Sequence, residues 1–281
     1  MTKDNQCQHA ISPLRYAGGK TRAIKSLTQY LPENLKTICS PFIGGGSFEL
    51  SCATKGIRVY GYDNFEPLVD FWNHLVNNPE QLADKIQEHF NIDKNVLRTW
   101  SKKIFIEQDS IMRAVMFFIL NRTTFGGSTV NGGLYTDIYQ RFNKAIIDRV
   151  RNFKVSGFHI GYSDFKASIP KHSEDFLYLD PPYVKHDRLY AYSKRSKEEF
   201  EHNMLYELLK NRERWILSYN DTEVIRERYG QFRIMNLTWK YGISNDSKKS
   251  SEILILSPDI VIKQNPLEAF PITFQKEGLE T

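Results

Sequence analysis

The chain has 281 residues, 41% of them hydrophobic and 25% charged, a balance that supplies a real core and excludes disorder along the whole length. That length suits one sizeable core with an inserted or appended subdomain. Thirty-eight Lys and Arg stand against 33 Asp and Glu, a net charge of +5, which permits a polyanionic partner without requiring one.

In chain order, helical spacing at 20–30 precedes an apolar strand at 36–40, a helix at 47–55 and a strand at 58–62. The order then breaks. Residues 66–153 read as mainly helical, with helices at 67–77, 79–90, 110–121 and 141–153 and a glycine-rich piece at 125–135. Strands return at 156–162 and 176–179, then a helix at 197–210, a strand at 215–219, a helix at 221–229, and strands at 232–237 and 252–256. Strands alternating with helices predict an α/β fold with a mostly parallel sheet covered on both faces. Residues 1–65 and 154–281 form that domain, and 66–153 is a helical insertion in it. A frayed tail is expected from 264 onward.

Cys7, Cys39 and Cys52 are too few for a disulfide framework and lack metal-ligand spacing, so free thiols in a reducing, cytoplasmic setting are expected and no metal site. The first ten residues hold no apolar stretch, so no signal peptide is expected. The longest aliphatic-aromatic run, 114–120, is far short of a bilayer span.

Residues 37–49 read TICSPFIGGGSFE: a short strand, three glycines, then a helix. Glycines there permit a sharp turn and close approach of a ligand. The dinucleotide fingerprint is incomplete, because Glu49 stands where its third glycine would fall. Asp63 ends the second strand, where a carboxylate commonly holds a ribose diol; it could equally cap the helix that follows. Together the two features favour an adenosine-containing cofactor.

Residues 176–183 read FLYLDPPY. Asp180 offers a carboxylate at a strand's end, and Pro181 and Pro182 supply carbonyls with no competing N–H. A carboxylate and a proline carbonyl can each accept one N–H of an exocyclic amino group, drawing the nitrogen lone pair out of conjugation and aiming it at an electrophile. Tyr183 can stack on a base.

These motifs, with SPLRYAGGK at 12–20, YGYD at 60–63, NRTTFGG at 121–127, GYSDF at 161–165 and WILSYND at 215–221, resemble the Dam-type, α-ordered DNA adenine-N6 methyltransferases over most of the chain. WILSYND suggests a subgroup relative rather than the GATC-methylating enzymes themselves. The resemblance implies a Rossmann-like methyltransferase sheet with an inserted target-recognition domain, S-adenosyl-L-methionine as cofactor and double-stranded DNA as substrate. Tyr16 and Lys20 would contact the methionine half of the cofactor, Phe42 to Gly46 (Gly44 included) would wrap it, and Asp63 would hold its ribose. Asp164 and Phe165 would lie at its adenine. Asp180, Pro181, Pro182 and Tyr183 would hold a flipped adenine. Lys20 could instead be an ordinary first-turn helix residue, and Asp164 a turn former. One departure stands out: the family often has Glu where this chain has Ser40. The contact that Glu would make, to the lysine of YAGGK or to the cofactor's ammonium, has no counterpart at that position.

A base inside a duplex must be flipped to reach a buried methyl donor. The stretch at 184–197 carries six basic residues counting His186, with Tyr190 and Tyr192, and suits a loop that clamps a displaced nucleotide through Lys185, Arg188 and Tyr190. A hairpin signalled by Asn131–Gly132 would present Arg122, Ser128, Thr129 and Asn131 to a DNA groove, although Arg122 could pair with a carboxylate within the domain instead. Residues 240–251 form a further basic loop without assignment. The leading expectation is site-specific DNA adenine methylation by a monomer or weak dimer, with a cognate restriction endonuclease as a candidate partner. An RNA adenine methyltransferase and a catalytically idle DNA-binding protein on the same fold are the alternatives.

Overall fold

The structure is a computed structural model and describes residues 11–16, 19–130, 132–183, 200–237 and 252–261. The expectations for the loops at 184–197 and 240–251 and for the tail from 264 lie outside the described residues.

Seven strands form one sheet in the order β3-β2-β1-β4-β5-β7-β6. They are β1 (Thr37–Ser40), β2 (Arg58–Asp63), β3 (Phe158–Tyr162), β4 (Phe176–Leu179), β5 (Trp215–Asn220), β6 (Arg233–Leu237) and β7 (Glu252–Leu256). The pairs among β1 to β5 are parallel, and β7 runs antiparallel between β5 and β6. Each matches a predicted apolar run. β3 starts two residues later than expected, after Gly157 turns the chain at φ 68°.

Period-two alternation assigns the two faces. Ile38, Phe176, Ile216 and Leu254 point into one apolar cluster, and Cys39, Leu177, Leu217 and Ile255 into the other. The first face is covered by α1 (Ile24–Thr28), α2 (Ser47–Ala53) and α3 (Glu66–Asn77), backed by α4 (Pro79–Glu88), α5 (Lys94–Lys103), α6 (Ser110–Thr123) and α7 (Lys144–Arg151). The second face takes α8 (Phe165–Lys171), α9 (His202–Leu209) and α10 (Glu223–Arg228). Helices are thus on both faces, as the strand-helix alternation predicts. The helices of 66–153 share one continuous apolar cluster with the sheet: Trp72 packs on Phe158 of β3, and Phe71 stacks on Phe118 of α6 at 5.3 Å.

Two helices escape the pattern reading. α5 is mostly polar, and its register rests on Leu97 and Trp100 with the Asp93 carboxylate accepting from the Asn95 N–H at 2.6 Å. α8 is seven residues long with Pro170 inside it, short enough to pass for loop. The predicted helix at 141–153 is trimmed to Lys144–Arg151, because Asn143 caps it by accepting from the Ile146 N–H at 3.1 Å. The predicted helix at 20–30 is a 3-10 turn, Lys20–Arg22, followed by the short α1.

The chain leaves β1 toward β2 on one side and β4 on the other. Ligands of open α/β sheets bind at such a switch point, beyond the carboxyl ends of the strands. Ser40, Asp63 and Asp180 all follow or end those strands.

Candidate active site at the carboxyl edge of the sheet

The glycine turn after β1 is held from three sides. Trp72 Nε1 donates to the Gly44 carbonyl at 3.0 Å, Asp63 Oδ2 accepts from the Gly44 N–H at 3.3 Å, and the Ile43 N–H donates to the Tyr62 carbonyl at 2.8 Å. Gly44 and Gly46 have φ of 43° and 63°, which L side chains rarely adopt. A Cβ at Gly45 would lie 2.7 Å from Tyr16 Cβ, and one at Gly46 2.7 Å from the Trp72 indole. The glycines therefore admit the protein's own Tyr16 and Trp72, a reason the motif alone does not disclose. A cleft of about 270 Å³ opens beside the turn, lined by Tyr16, Gly19, Gly45, Ser47 and Gly126.

Asp63 is buried, and its second oxygen accepts from the Phe65 N–H at 3.0 Å. The residue thus supports the approach to α3 and the glycine turn together. Burial pushes its carboxyl up to about 6. Phe42 and Phe165 meet at 5.6 Å, and Phe200, which no motif marks, packs on both at 5.7 and 5.2 Å. Asp164 caps α8, accepting from the Lys166 N–H at 2.8 Å, so its turn-forming role is present. Ser40 donates to Glu49 Oε1 at 2.7 Å. Glu49 stands in the first turn of α2 and is 3% exposed. Burial pushes its carboxyl up to about 7, and the charge of Asp180 adds to the rise while that of Lys20 opposes it.

At the end of β4, Asp180 Oδ1 accepts from three donors: the Lys20 ammonium at 2.9 Å, Ser218 Oγ at 3.2 Å and the Tyr183 hydroxyl at 3.3 Å. Among the described residues none donates to Oδ2. The Lys20 ammonium also donates to the Tyr183 oxygen at 2.8 Å and lies 3.8 Å from Glu252 Oε2 at the start of β7. Lys20, expected at the methionine half of a cofactor, is thus buried against the catalytic turn. Tyr183, expected to stack on a base, is buried with its hydroxyl on Lys20 and Asp180. Pro181 and Pro182 follow Asp180 outside any helix or strand. Ser218 lies in the WILSYND segment but was given no role, and Glu252 went unmarked, because each lies on a strand far from the turn it serves.

The segment carrying Tyr16 is tied to α6. Asn121 accepts from the Arg15 N–H at 2.9 Å and donates to the Arg15 carbonyl at 2.7 Å and the Gly127 carbonyl at 3.1 Å. Gly127 is obligatory in this arrangement, since a Cβ there would fall 1.9 Å from the Arg15 oxygen. The glycine-rich piece pairs as a short irregular hairpin, the Phe125 N–H donating to Gly133 O and the Tyr135 N–H to Thr123 O, both at 3.0 Å. Its expected groove-facing residues divide. Arg122 is half-buried and donates to the main-chain carbonyls of Arg141 and Pro13 at 2.9 and 3.3 Å, not to a carboxylate; burial and nearby arginines push it down to about 10. Thr129 is buried and donates to the Gly127 carbonyl at 3.1 Å, so it does not sit at an exposed tip. Ser128 donates to the Phe125 carbonyl at 2.7 Å. Asn131, Lys185, Arg188 and Tyr190 lie outside the described residues. Phe125, part of NRTTFGG but given no role from the sequence, is 54% exposed and packs on Tyr135 at 4.3 Å.

A carboxylate with one oxygen oriented by three donors and the other without a donor among the described residues, beside two prolines and a glycine turn, suits activation of an exocyclic amine. The donor set next to it suits a nucleoside-bearing methyl donor: an aromatic wall, a buried carboxylate at the end of β2 and a second one at Glu49.

Comparison with known proteins agrees with this geometry. Residues 16–243 match the model of the D12 class N6 adenine-specific DNA methyltransferases. The chain is 25% identical over 228 residues to Type II methyltransferase M.CviBI of Paramecium bursaria Chlorella virus NC1A, covering 77% of this chain and 85% of that protein. It is 26% identical over 267 residues to the DNA adenine methylase of Salmonella typhi, covering 86% and 94%. A DNA adenine methylase of Vibrio cholerae is 26% identical over 183 residues, covering 61% and 64%. With more than half its length under the family model and its DPPY turn at the carboxyl edge of the sheet, this chain belongs to the D12 class of N6 adenine-specific DNA methyltransferases.

Proposed function

We propose that this methyltransferase uses S-adenosylmethionine and acts on an adenine flipped out of double-stranded DNA. The observation that carries the reading is Asp180, pinned through Oδ1 by Lys20, Tyr183 and Ser218 with Oδ2 left for substrate. Bound S-adenosylmethionine supplies a methyl group activated by sulfonium. Asp180 Oδ2 accepts one N6–H of the adenine, and a proline carbonyl of the turn accepts the other. The nitrogen lone pair is thereby freed for in-line attack, and the carboxylate stands ready to receive the proton that N6 must lose. Phe42, Phe165 and Phe200 would bracket the cofactor's adenine, and Asp63 its ribose. Tyr16, Gly44 and Gly46 would shape the wall along the methionine half. Ser128, Asn131, Lys185, Arg188 and Tyr190 remain the proposed DNA contacts, and Phe125 is an exposed aromatic in the same turn as Ser128. The specificity-bearing part is proposed to lie in 66–153. Among the described residues no helix is long and apolar enough to cross a membrane. The Type II names of relatives make a cognate endonuclease a partner to look for.

The test is methyl transfer from labelled S-adenosylmethionine to unmethylated plasmid DNA and, in parallel, to total RNA, read by nucleoside mass spectrometry. N6-methyladenine in DNA at one sequence context is expected. Label in RNA alone would overturn the substrate. Asp180→Ala should lower turnover by roughly a hundredfold or more while cofactor binding stays measurable; turnover at the unsubstituted rate would remove Asp180 from the chemistry.

A further inference from the structure

Glu49 is a carboxylate with an unusual address. It sits in the first turn of α2, buried beside the glycine turn, and its Oε1 takes a hydrogen bond from Ser40 at the end of β1. It forms no ion pair among the described residues. Lys20, the cation whose field reaches it, is bound to Asp180 and Tyr183. Asp63 differs, because two main-chain N–H groups already neutralise its oxygens in part. A buried carboxylate whose donors, the Ser40 hydroxyl and its own main-chain N–H, are both neutral and which has no ion pair is costly to keep. Such a group at a ligand-binding edge is a candidate for cation recognition. The serine at the end of β1 grips the Glu49 carboxylate.

We propose that Glu49 takes the α-ammonium of the cofactor's methionine half, with Ser40 as the positioning residue that holds its carboxylate at the end of β1. The inference rests on the S-adenosylmethionine reading above. The carboxylate is delivered from a helix rather than from the strand end, so Ser40 and Glu49 act as one unit.

Calorimetry on the full chain at pH 8 tests this with two ligands. One is S-adenosylhomocysteine; the other is 5′-deoxy-5′-(3-carboxypropylthio)adenosine, the same molecule without its amino group. The unsubstituted protein should prefer S-adenosylhomocysteine by at least about tenfold, the scale of a charge-assisted hydrogen bond. Glu49→Gln preserves the acceptor for Ser40 and removes the charge, so the preference should collapse to about twofold or less. Ser40→Ala keeps the charge and frees it, and should narrow the preference in the same direction. A Glu49→Gln protein that retains the preference, or that weakens both ligands equally, overturns the proposal. If the unsubstituted protein binds neither ligand, the cofactor reading itself falls and the proposal with it. Circular dichroism on both variants separates loss of fold from loss of the contact.

Discussion

Asp180, Ser218 and Glu49 show how single side chains here are tuned by what lies under them. Ser218 is fully buried on β5, within reach of the Tyr178 hydroxyl at 3.4 Å, the Leu179 carbonyl at 3.3 Å and Asp180 Oδ1 at 3.2 Å. It has one proton to give, so it orients Asp180 only part of the time, and Lys20 carries most of the restraint. Ser218→Ala should therefore lower kcat by about tenfold, the worth of one hydrogen bond to a charged group, with little change in KM for DNA. Steady-state kinetics on the purified variant checks it. Glu49 makes a different prediction. Its folded carboxyl titrates near 7, above the ordinary 4.5. Its contribution to stability is thus fully present below about 4.5 and is lost as pH rises through 7. Ser40, Lys20, Asp180, Cys52 and Tyr178 are the polar and titratable groups that face it among the described residues. Glu49→Gln removes this loss: the unliganded variant should melt several degrees higher than the unsubstituted protein at pH 8, corresponding to roughly 3 kcal/mol, and show little gain at pH 4. Asp63, pushed up in the same direction, retains its own decline in both proteins.

At the scale of elements, the sheet was legible and parts of its cover were not. Seven apolar runs announced seven strands: the central β1, β4, β5 and β7 are buried on both faces and read as near-continuous hydrophobic runs, while the edge strands β3 and β6 are only partly buried. α8 was hidden by its length and Pro170, and α5 by its polar surface. The catalytic turn was legible because proline and aspartate restrict the chain locally. The groups that complete it were not: Lys20, Ser218 and Glu252 converge on Asp180 and Tyr183 from three separate elements, and no local pattern encodes such a meeting. The Asn121 contact is of the same kind. Asn121→Ala would strand an N–H and two carbonyls where α6 meets the Arg15 segment. We expect a loss of about 2–4 kcal/mol by denaturant unfolding and a weakened grip of Tyr16 on the glycine turn. A variant of unchanged stability would show that the segment is held by other contacts.

For the molecule as a whole, the boundary at residue 66 marks a change in sequence pattern without a break in the core. α3 lies on the sheet, and its Trp72 holds the glycine turn, so the helices of 66–153 cannot be treated as a detachable module. A chimera that exchanges 66–153 for the corresponding piece of a relative should lose cooperative unfolding unless α3 and the Phe71–Phe118 stack are carried across matched. An exchange confined to 124–137 should fold; whether that chimera takes on the donor's DNA site, read by sequencing of methylated plasmid, tests the placement of specificity. The first chimera folding as well as the parent would mean that the shared cluster tolerates repacking more freely than its burial suggests.

The tie between the Arg15 segment and α6 also bears on how the protein is made. Arg15 meets Asn121 across 106 residues of chain, and Lys20 meets Tyr183 across 163. On a ribosome the segment bearing Tyr16 and Lys20 emerges early and must wait, its partners unsynthesised, while strands and helices between them assemble. Docking of that segment is therefore a late event in biosynthesis, and Asp180 acquires its buried cation only then. A nascent chain arrested before residue 183 holds the sequence of β1 to β4 and the Asn121 partner of Arg15, but lacks Tyr183, Ser218 and Glu252, so the surroundings of Lys20 are completed last, around a residue made well before its partners.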